Sequence, residues 1–147
     1  YGVIYVVRGL RGPIVAVRPG GSGKLPDARI AWDHRQNTPD TCCPVLYRGL
    51  LFTVADDGVA QCLDAKTGKL QWRSRLAGQF KASPLAADGR IYFPGTNGTC
   101  SVFAAERTEK KLAENRLDDQ LIASPAVSEG MILLRGHRSL YAIAKPR

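Results

Sequence analysis

The 147-residue chain lacks any run of about 18 apolar residues, the length that a helix needs to cross a bilayer, so we expect no transmembrane segment. Its first residues also lack a basic leader followed by a small-residue cleavage site, so we expect no signal peptide in this segment. A hydrophobic content of 44% is typical of an ordinary globular domain and excludes a disordered class.

Residues that bind metals are scarce. The sequence has two histidines, His34 and His137, and four cysteines without CxxC spacing, namely Cys42, Cys43, Cys62 and Cys100. This pattern predicts no metal site, and the sequence indicates no catalytic or cofactor-binding residues and no cofactor. The adjacent Cys42 and Cys43 fit either a strained vicinal disulfide or two small apolar residues at the head of a strand, and we favour the second interpretation.

The charge is strongly basic but not clustered. Lys and Arg total 21 against 13 Asp and Glu, a net charge of +8, which favours anionic partners in general. The basic residues are scattered, however, and no aromatic residues alternate with them in a nucleic-acid motif. We therefore interpret them as a solvated surface and predict no nucleic-acid partner.

A repeat of about forty residues is the strongest pattern in the chain. It appears as four sets of landmarks in one fixed order: Pro44, Pro84 and Pro125; Gly49, Gly89 and Gly130; Gly58 and Gly98; and Trp32 and Trp72. Each unit reads as four short strands separated by turns. Repeats of this length with four strands are typical of propeller blades, whereas a β-sandwich would not explain the shared phase. The predicted fold is all-β, a partial β-propeller of about three and a half four-stranded antiparallel blades.

The repeat divides the single domain, residues 1–147, into an incomplete first blade 1–42, a second blade 43–82, a third blade 83–123 and an incomplete last blade 124–147. The first blade begins at its second strand, and the last lacks its fourth, with Pro146 expected to end it. An open arc exposes two sheet edges. We therefore expect either a fragment whose missing blades come from a longer propeller or self-association that completes a ring.

One segment carries a family motif, Cys62-x-Asp64-x-x-Thr67-Gly68-x-x-x-Trp72. It resembles the tryptophan-docking motif of the quinoprotein, or PQQ-like, repeat family, which usually has Ala in place of Cys62. The resemblance implies that the Trp packs over the neighbouring blade while the small residue and Gly leave room for its ring, so the expected structural docking residues are Cys62, Asp64, Thr67, Gly68, Trp72 and Trp32.

The later units depart from this motif. Thr108 and Leu112 stand where the spacing places the Gly and the Trp, and Arg138 stands where Gly58 and Gly98 do. We therefore expect docking to be weakest at the third blade.

The chain is most similar to the cofactor-free branch of this family, which includes an outer-membrane assembly propeller and uncharacterised PQQ-like repeat proteins. That resemblance implies a non-catalytic interaction or scaffold module of a bacterial envelope protein, periplasmic or secreted, which binds a protein or other ligand on one propeller face. The alternative is a fragment of a PQQ-dependent quinoprotein dehydrogenase. Such enzymes need a metal site, a catalytic Asp and polar clamps from most blades, so we regard this alternative as the weaker one.

Sequence phase also predicts which residues share a face. The connection into each inner strand and the turn between second and third strands lie on the same side of a propeller. The candidate ligand face therefore comprises Asp40, Asp57, Lys81, Asn97, His137 and Arg138. Lys81 and Arg138 are suited to an acidic partner there.

Overall fold

The computed structural model describes residues 2–24 and 26–144. Its described residues form fourteen strands and one short 3-10 turn at Asp27–Arg29, arranged as four antiparallel sheets of three, four, four and three strands. This confirms the predicted all-β partial propeller. Within the same residues there is no helix long and apolar enough to span a membrane. The predicted stop at Pro146 lies outside the described residues.

The strands follow one another in chain order within each sheet. Sheet one contains β1 (Ile4–Val7), β2 (Ile14–Val17) and β3 (Ile30–His34). Sheet two contains β4 (Val45–Tyr47), β5 (Leu50–Val54), β6 (Val59–Asp64) and β7 (Leu70–Arg75). Sheet three contains β8 (Leu85–Ala87), β9 (Arg90–Pro94), β10 (Thr99–Ala104) and β11 (Lys111–Arg116). Sheet four contains β12 (Ala126–Ser128), β13 (Met131–Arg135) and β14 (Leu140–Ile143). The blade boundaries drawn between these sheets remain predictions.

The first two turns of each four-stranded sheet are of different kinds. The first and second strands are joined by two residues that both have positive φ, for example Asp88 at 48° and Gly89 at 70°. This is the geometry of the tight hairpin turn that Asp-Gly favours. The other Gly-containing pair, Asn97-Gly98, is different, because only Gly98 has positive φ and the pair ends a four-residue loop closed by a bond from Gly95 N to Thr99 O. Asn97-Gly98 is thus not a two-residue hairpin turn.

The strand register corrects the prediction of which residue in sheet three corresponds to Trp32 and Trp72. In sheets one and two, Trp32 lies opposite Ala16 and Trp72 opposite Cys62. The loop before β11 is one residue longer, so Ala113, not Leu112, lies opposite Val102 in the corresponding register. Leu112 is the extra residue of a β-bulge and is exposed. Counting forty residues from Trp72 missed this insertion.

The turn that contains Arg138 is one residue shorter than its counterparts. Gly136 N donates to Ser139 O, whereas the corresponding bond in sheet three spans one more residue, from Gly95 to Thr99. Arg138 is not among the residues with positive φ. It therefore does not occupy the position of Gly58 and Gly98, which this shorter turn omits.

The buried core is concentrated at the middle of the arc. Sheets two and three share an aromatic cluster in which Trp72 stacks on Phe103 at 5.3 Å between ring centroids and Phe93 meets Phe103 edge-on. Sheets one and two share a smaller cluster around Ile14, Leu51 and Leu63. In sheet four, Leu134 is the one strand residue that is fully buried. Packing therefore weakens toward the last sheet.

Candidate functional site

The loop between β6 and β7 is organised by a single carboxylate. Asp64 Oδ1 accepts hydrogen bonds from the backbone N of Lys66 and Thr67 and from Thr67 Oγ1, at 2.9–3.1 Å. Asp64 Oδ2 accepts a charged hydrogen bond of 2.7 Å from Arg107 in sheet three. The hydrogen bond from Arg107, assisted by those from Thr67, holds the pKa of Asp64 below its usual value. The carboxylate therefore both shapes its own turn and links two sheets.

Trp32 of sheet one packs on this loop. Its Nε1 donates to Ala65 O at 3.1 Å, and Tyr5 OH donates to the same oxygen at 2.8 Å. A Cβ placed on Gly68 would lie 2.6 Å from the indole carbons of Trp32. Because no carbon can approach so closely, only glycine permits this contact.

Trp72 makes the corresponding contact one sheet further along. Its Nε1 donates to Glu106 O at 3.0 Å, and the thiol of Cys62 points to the same oxygen at 3.8 Å. Burial raises the pKa of Cys62 to about 12, so this thiol stays protonated at neutral pH. Each indole thus reaches a backbone carbonyl in the loop of the next sheet.

The contact between sheets three and four has no such indole. A cavity of about 240 Å³ lies between these sheets and is lined mainly by apolar side chains, among them Tyr92, Leu117, Ile132 and Leu134. Ala113, which holds the register position of the tryptophan, is exposed and is not among the residues that line this cavity.

Backbone hydrogen bonds join the turns of neighbouring sheets into one face. Phe80 N donates to Asp56 O at 3.0 Å and Thr96 N donates to Gln79 O at 2.8 Å. His137 N donates to Gln120 O at 2.9 Å. These bonds bring the connections into the inner strands together with the turns between second and third strands. We call this surface the turn face.

The structure places the candidate residues on the turn face, where several are already engaged within the protein. Asp40 Oδ1 accepts from Arg11 N at 2.7 Å. Asp57 is exposed and pairs with Arg75 at 3.1 Å. Asn97 Oδ1 accepts from Thr99 N at 3.0 Å.

The two cations selected for an acidic partner are also paired. Lys81 Nζ lies 2.5 Å from Asp56 Oδ2, and the guanidinium of Arg138 lies 3.1 Å from Asp118 Oδ2. His137 is exposed, and its backbone N makes the bond to Gln120 described above. The turn face therefore presents paired charges of both signs and no single positive patch formed by these residues.

Two aspartates hold the turn face together and were not selected from the sequence. Asp56 accepts from the backbone N of Asp40 and Thr41 as well as from Lys81. Partial burial opposes ionisation of Asp56, but these hydrogen bonds hold its pKa below the usual value. Nothing in the sequence distinguishes Asp56 from Asp57, because both are acidic turn residues and only the fold shows which one faces inward.

Asp119 is the second of these aspartates, and its side chain is almost completely buried. Its carboxylate accepts from the backbone N of Gln120, Arg138 and Ser139 and from Tyr141 OH. Desolvation opposes ionisation, but these donors together lower the pKa of Asp119. Gly136 is required beside it, because a Cβ there would lie 2.2 Å from Asp119 Oδ2.

All four cysteines are free thiols, so Cys42 and Cys43 do not form a vicinal disulfide in this structure. Cys42 is buried and its thiol donates to Ala82 O at 3.3 Å. Burial raises the pKa of Cys42 and of Cys100 to about 11. Cys43 is exposed, and its backbone N donates to Ser83 Oγ just as Ser83 N donates to Ser124 Oγ. Cys43 thus occupies the repeat position of those serines.

The residues present do not fit a quinone cofactor site with a metal. Among residues 2–24 and 26–144, no three His, Cys, Asp or Glu side chains cluster so that they could hold a metal ion. The acidic side chains of the turn face are taken up by backbone donors and by Lys and Arg. We therefore derive no step of quinone chemistry for this chain.

Four-stranded antiparallel sheets that meet through an indole and a backbone carbonyl define a β-propeller of the PQQ-like repeat class. The chain belongs to the family described as outer membrane protein assembly factor BamB, whose model matches residues 14–111. No curated protein matches the sequence.

Solved structures share the fold at low sequence identity. BamB from Moraxella catarrhalis superposes with a TM-score of 0.72 at 17% identity, over 96% of this chain and 42% of its own. A europium-containing methanol dehydrogenase gives 0.63 at 16% identity, over 79% of this chain and 23% of its own. The computationally designed Ika4 protein gives 0.75 at 11% identity, over 98% of this chain and 86% of its own. The chain thus spans less than half the length of that BamB.

Proposed function

We propose that the chain is a non-catalytic interaction module of a bacterial envelope protein, periplasmic or secreted, whose turn face binds a protein partner. Membership of the BamB family supports a role in assembling outer membrane proteins. The observation that carries the proposal is the set of backbone bonds between neighbouring sheets, from Phe80 to Asp56, Thr96 to Gln79 and His137 to Gln120. A surface fixed in this way is pre-organised, which lowers the entropic cost of binding.

The paired charges of the turn face indicate how a partner is recognised. Lys81, Arg75 and Arg138 each have an acidic neighbour, so the positive charge on the face is locally balanced. A strongly acidic partner would gain little from it. We therefore propose a partner surface of mixed charge that is recognised by shape and by hydrogen bonds to exposed turn groups.

In this proposal the docking residues have a structural role. Trp32 and Trp72, with Cys62, Asp64, Thr67 and Gly68, hold successive sheets at a constant spacing, and that spacing sets the distance between turns on the face.

Photo-crosslinking in a bacterial envelope tests the proposal. A photoreactive residue is placed at Asp57 or Asn97 on the turn face, and at Arg48 or Asp88 in the turns at the opposite ends of the same antiparallel strands. We expect one discrete crosslinked species from the turn face and none from the opposite turns. Equal crosslinking from both faces, or none from either, would contradict the proposal.

The dehydrogenase alternative is favoured only by shared fold, since the europium-containing methanol dehydrogenase is among the similar structures. Adding PQQ with calcium, then measuring quinone absorbance and dye reduction, tests it directly. We expect no saturable binding. Saturable quinone binding would replace the proposed scaffold role.

A further inference from the structure

The cavity of about 240 Å³ between sheets three and four is enclosed by side chains from both sheets. Its wall includes Tyr92, Cys100 and Leu117 on the side of sheet three and Ile132, Leu134 and Ile143 on the side of sheet four. None of these residues belongs to the candidate ligand face. The cavity is therefore a different site from the one proposed to bind a protein partner.

The junction between sheets two and three shows what the same positions hold when the space is filled. Strand register places Leu134 where Phe93 stands and Ile143 where Phe103 stands. Both phenylalanines are fully buried in the core between sheets two and three, and their rings meet edge-on at 5.8 Å between centroids. Leu134 and Ile143 are aliphatic, so the junction between sheets three and four lacks both of these rings.

The opposite wall of the cavity resembles its counterpart in the filled junction. Tyr92 stands where Phe52 does and also carries a ring, and Leu117 stands where Leu76 does. Because this wall has not changed in a way that replaces two phenyl rings, the space that they would occupy stays open. The cavity thus follows from the side chains of sheet four that face sheet three.

A further strand at the edge of sheet four would not fill this space. In the junction between sheets two and three, the corresponding outer strand is β11, which is exposed along its whole length. None of its residues belongs to the core that the two sheets share. The filling of that junction includes Phe93 and Phe103 of the second and third strands, whose counterparts β13 and β14 are both present in sheet four.

The size and chemistry of the cavity suit one aromatic ring. Apolar cavities of about 150 Å³ stay dry and admit benzene, and this cavity is larger. Among the described residues, no charged side chain lines it. Burial raises the pKa of Cys100 to about 11, so its thiol stays neutral and behaves as a small apolar group. The ring of Tyr92 is available for an edge-on contact with a bound ring.

We propose that the cavity between sheets three and four is a binding site for a small apolar ligand that carries one aromatic ring. The ring of the ligand takes the place that the rings of Phe93 and Phe103 take in the preceding junction. This site lies between two sheets and not on the turn face, so it does not depend on the protein partner proposed above.

Titration with benzene, followed through the amide NMR spectrum of the chain, tests the site. We expect saturable binding that shifts amides of β9 and β13 and leaves those of β5 unchanged. Leu134→Phe restores the ring found at Phe93, so it should weaken benzene binding about 10-fold or more. Leu133→Phe is the matched control and should not weaken binding, because Leu133 neighbours Leu134 on the same strand, points to the other side and does not line the cavity.

Hydrogen exchange provides a second measurement that needs no variant. Benzene that binds the closed junction should slow exchange of β13 amides by a factor of one plus the ratio of its concentration to Kd, about 10-fold at ten times Kd. Amides of β5 should exchange at an unchanged rate. Far-UV circular dichroism establishes that both variants are folded. Absence of saturable binding, β13 exchange that saturating benzene does not slow, or binding that a folded Leu134→Phe chain retains in full would each overturn the proposal.

Discussion

At the scale of single residues, two glycines with the same backbone conformation differ in how much their replacement should destabilise the fold, because their neighbours differ. Gly68 and Gly89 have nearly equal φ values of +72° and +70°. The space beside Gly89 is open for 4 Å, whereas the indole of Trp32 covers Gly68. Gly89 is thus required by its turn alone, and Gly68 by its turn and by its neighbour.

Replacing each glycine by alanine separates the two requirements. Gly89→Ala should lower the free energy of unfolding by about 1 kcal/mol, the cost of a Cβ in the left-handed region. Gly68→Ala should lower it by about 3 kcal/mol, because displacement of the Trp32 ring is added. Urea denaturation followed by tryptophan fluorescence measures both. Equal losses would show that the contact between Trp32 and Gly68 contributes nothing.

The four thiols also differ by environment. Cys42, Cys62 and Cys100 are buried with raised pKa values, and Cys43 is exposed. We expect a thiol reagent at pH 8 to label one cysteine per native chain within minutes and all four after denaturation. Cys43→Ser should abolish the native labelling. Rapid labelling of two or more native thiols would contradict the burial described above.

At the scale of strands and turns, one-residue changes in loop length decide which side chain faces the next sheet. The extra residue before β11 moves Leu112 into a bulge and puts Ala113 in the register of Trp72. The missing residue in the turn of Arg138 removes the position that Gly98 fills in sheet three. In both cases the repeat of Pro and Gly residues still has a spacing near forty, so only the strand pairing reveals the one-residue change in loop length.

The corrected register predicts the position at which a third tryptophan would stabilise the fold. Ala113→Trp should raise the free energy of unfolding by about 1 kcal/mol, since Trp72 at this position stacks on Phe103 and the corresponding residue in sheet four is the apolar Ile143. Leu112→Trp is the control and should change the free energy of unfolding by less than about 0.5 kcal/mol, because Leu112 is the extra residue of the bulge and lies outside the register of Trp72. A stabilising Leu112→Trp with a neutral Ala113→Trp would restore the spacing-based assignment.

At the scale of the whole molecule, stability is unevenly distributed along the arc. Sheets two and three share the aromatic core, while sheets three and four are separated in part by a cavity of about 240 Å³. Such a repeat array is stabilised by contacts between neighbours, so its weakest junction opens first.

Hydrogen exchange of the native chain should show this order. Amides of β13 in sheet four are expected to exchange at least about 100-fold faster than those of β5 in sheet two, because sheet four can open without disrupting the aromatic core. Ala113→Trp, which adds an indole between sheets three and four, should reduce the difference in exchange rate between the amides of β13 and those of β5. Exchange of both strands at one common rate would indicate a single cooperative unit.

Much of the fold could be predicted from recurrence of Pro, Gly and Trp, because these residues are dictated by local geometry. Gly89 needs positive φ whatever surrounds it, and the strand that carries Trp72 follows the motif loop. The turn face was likewise predictable in outline, since alternating strand directions place those turns on one side. Asp56 and Asp119 could not be recognised, because an aspartate that collects backbone donors and one that meets solvent have the same sequence signal.

The sequence by itself determined the four-stranded repeat, the order of its strands and its family, because turn chemistry and alternation of apolar residues act over a few neighbours. Tertiary structure decided the register of Ala113 and the inward positions of Asp56 and Asp119. Those features depend on contacts between residues well separated in the sequence, such as Asp56 with Lys81 and Asp119 with Tyr141. Their energies arise from packing and desolvation between sheets, which no local pattern records.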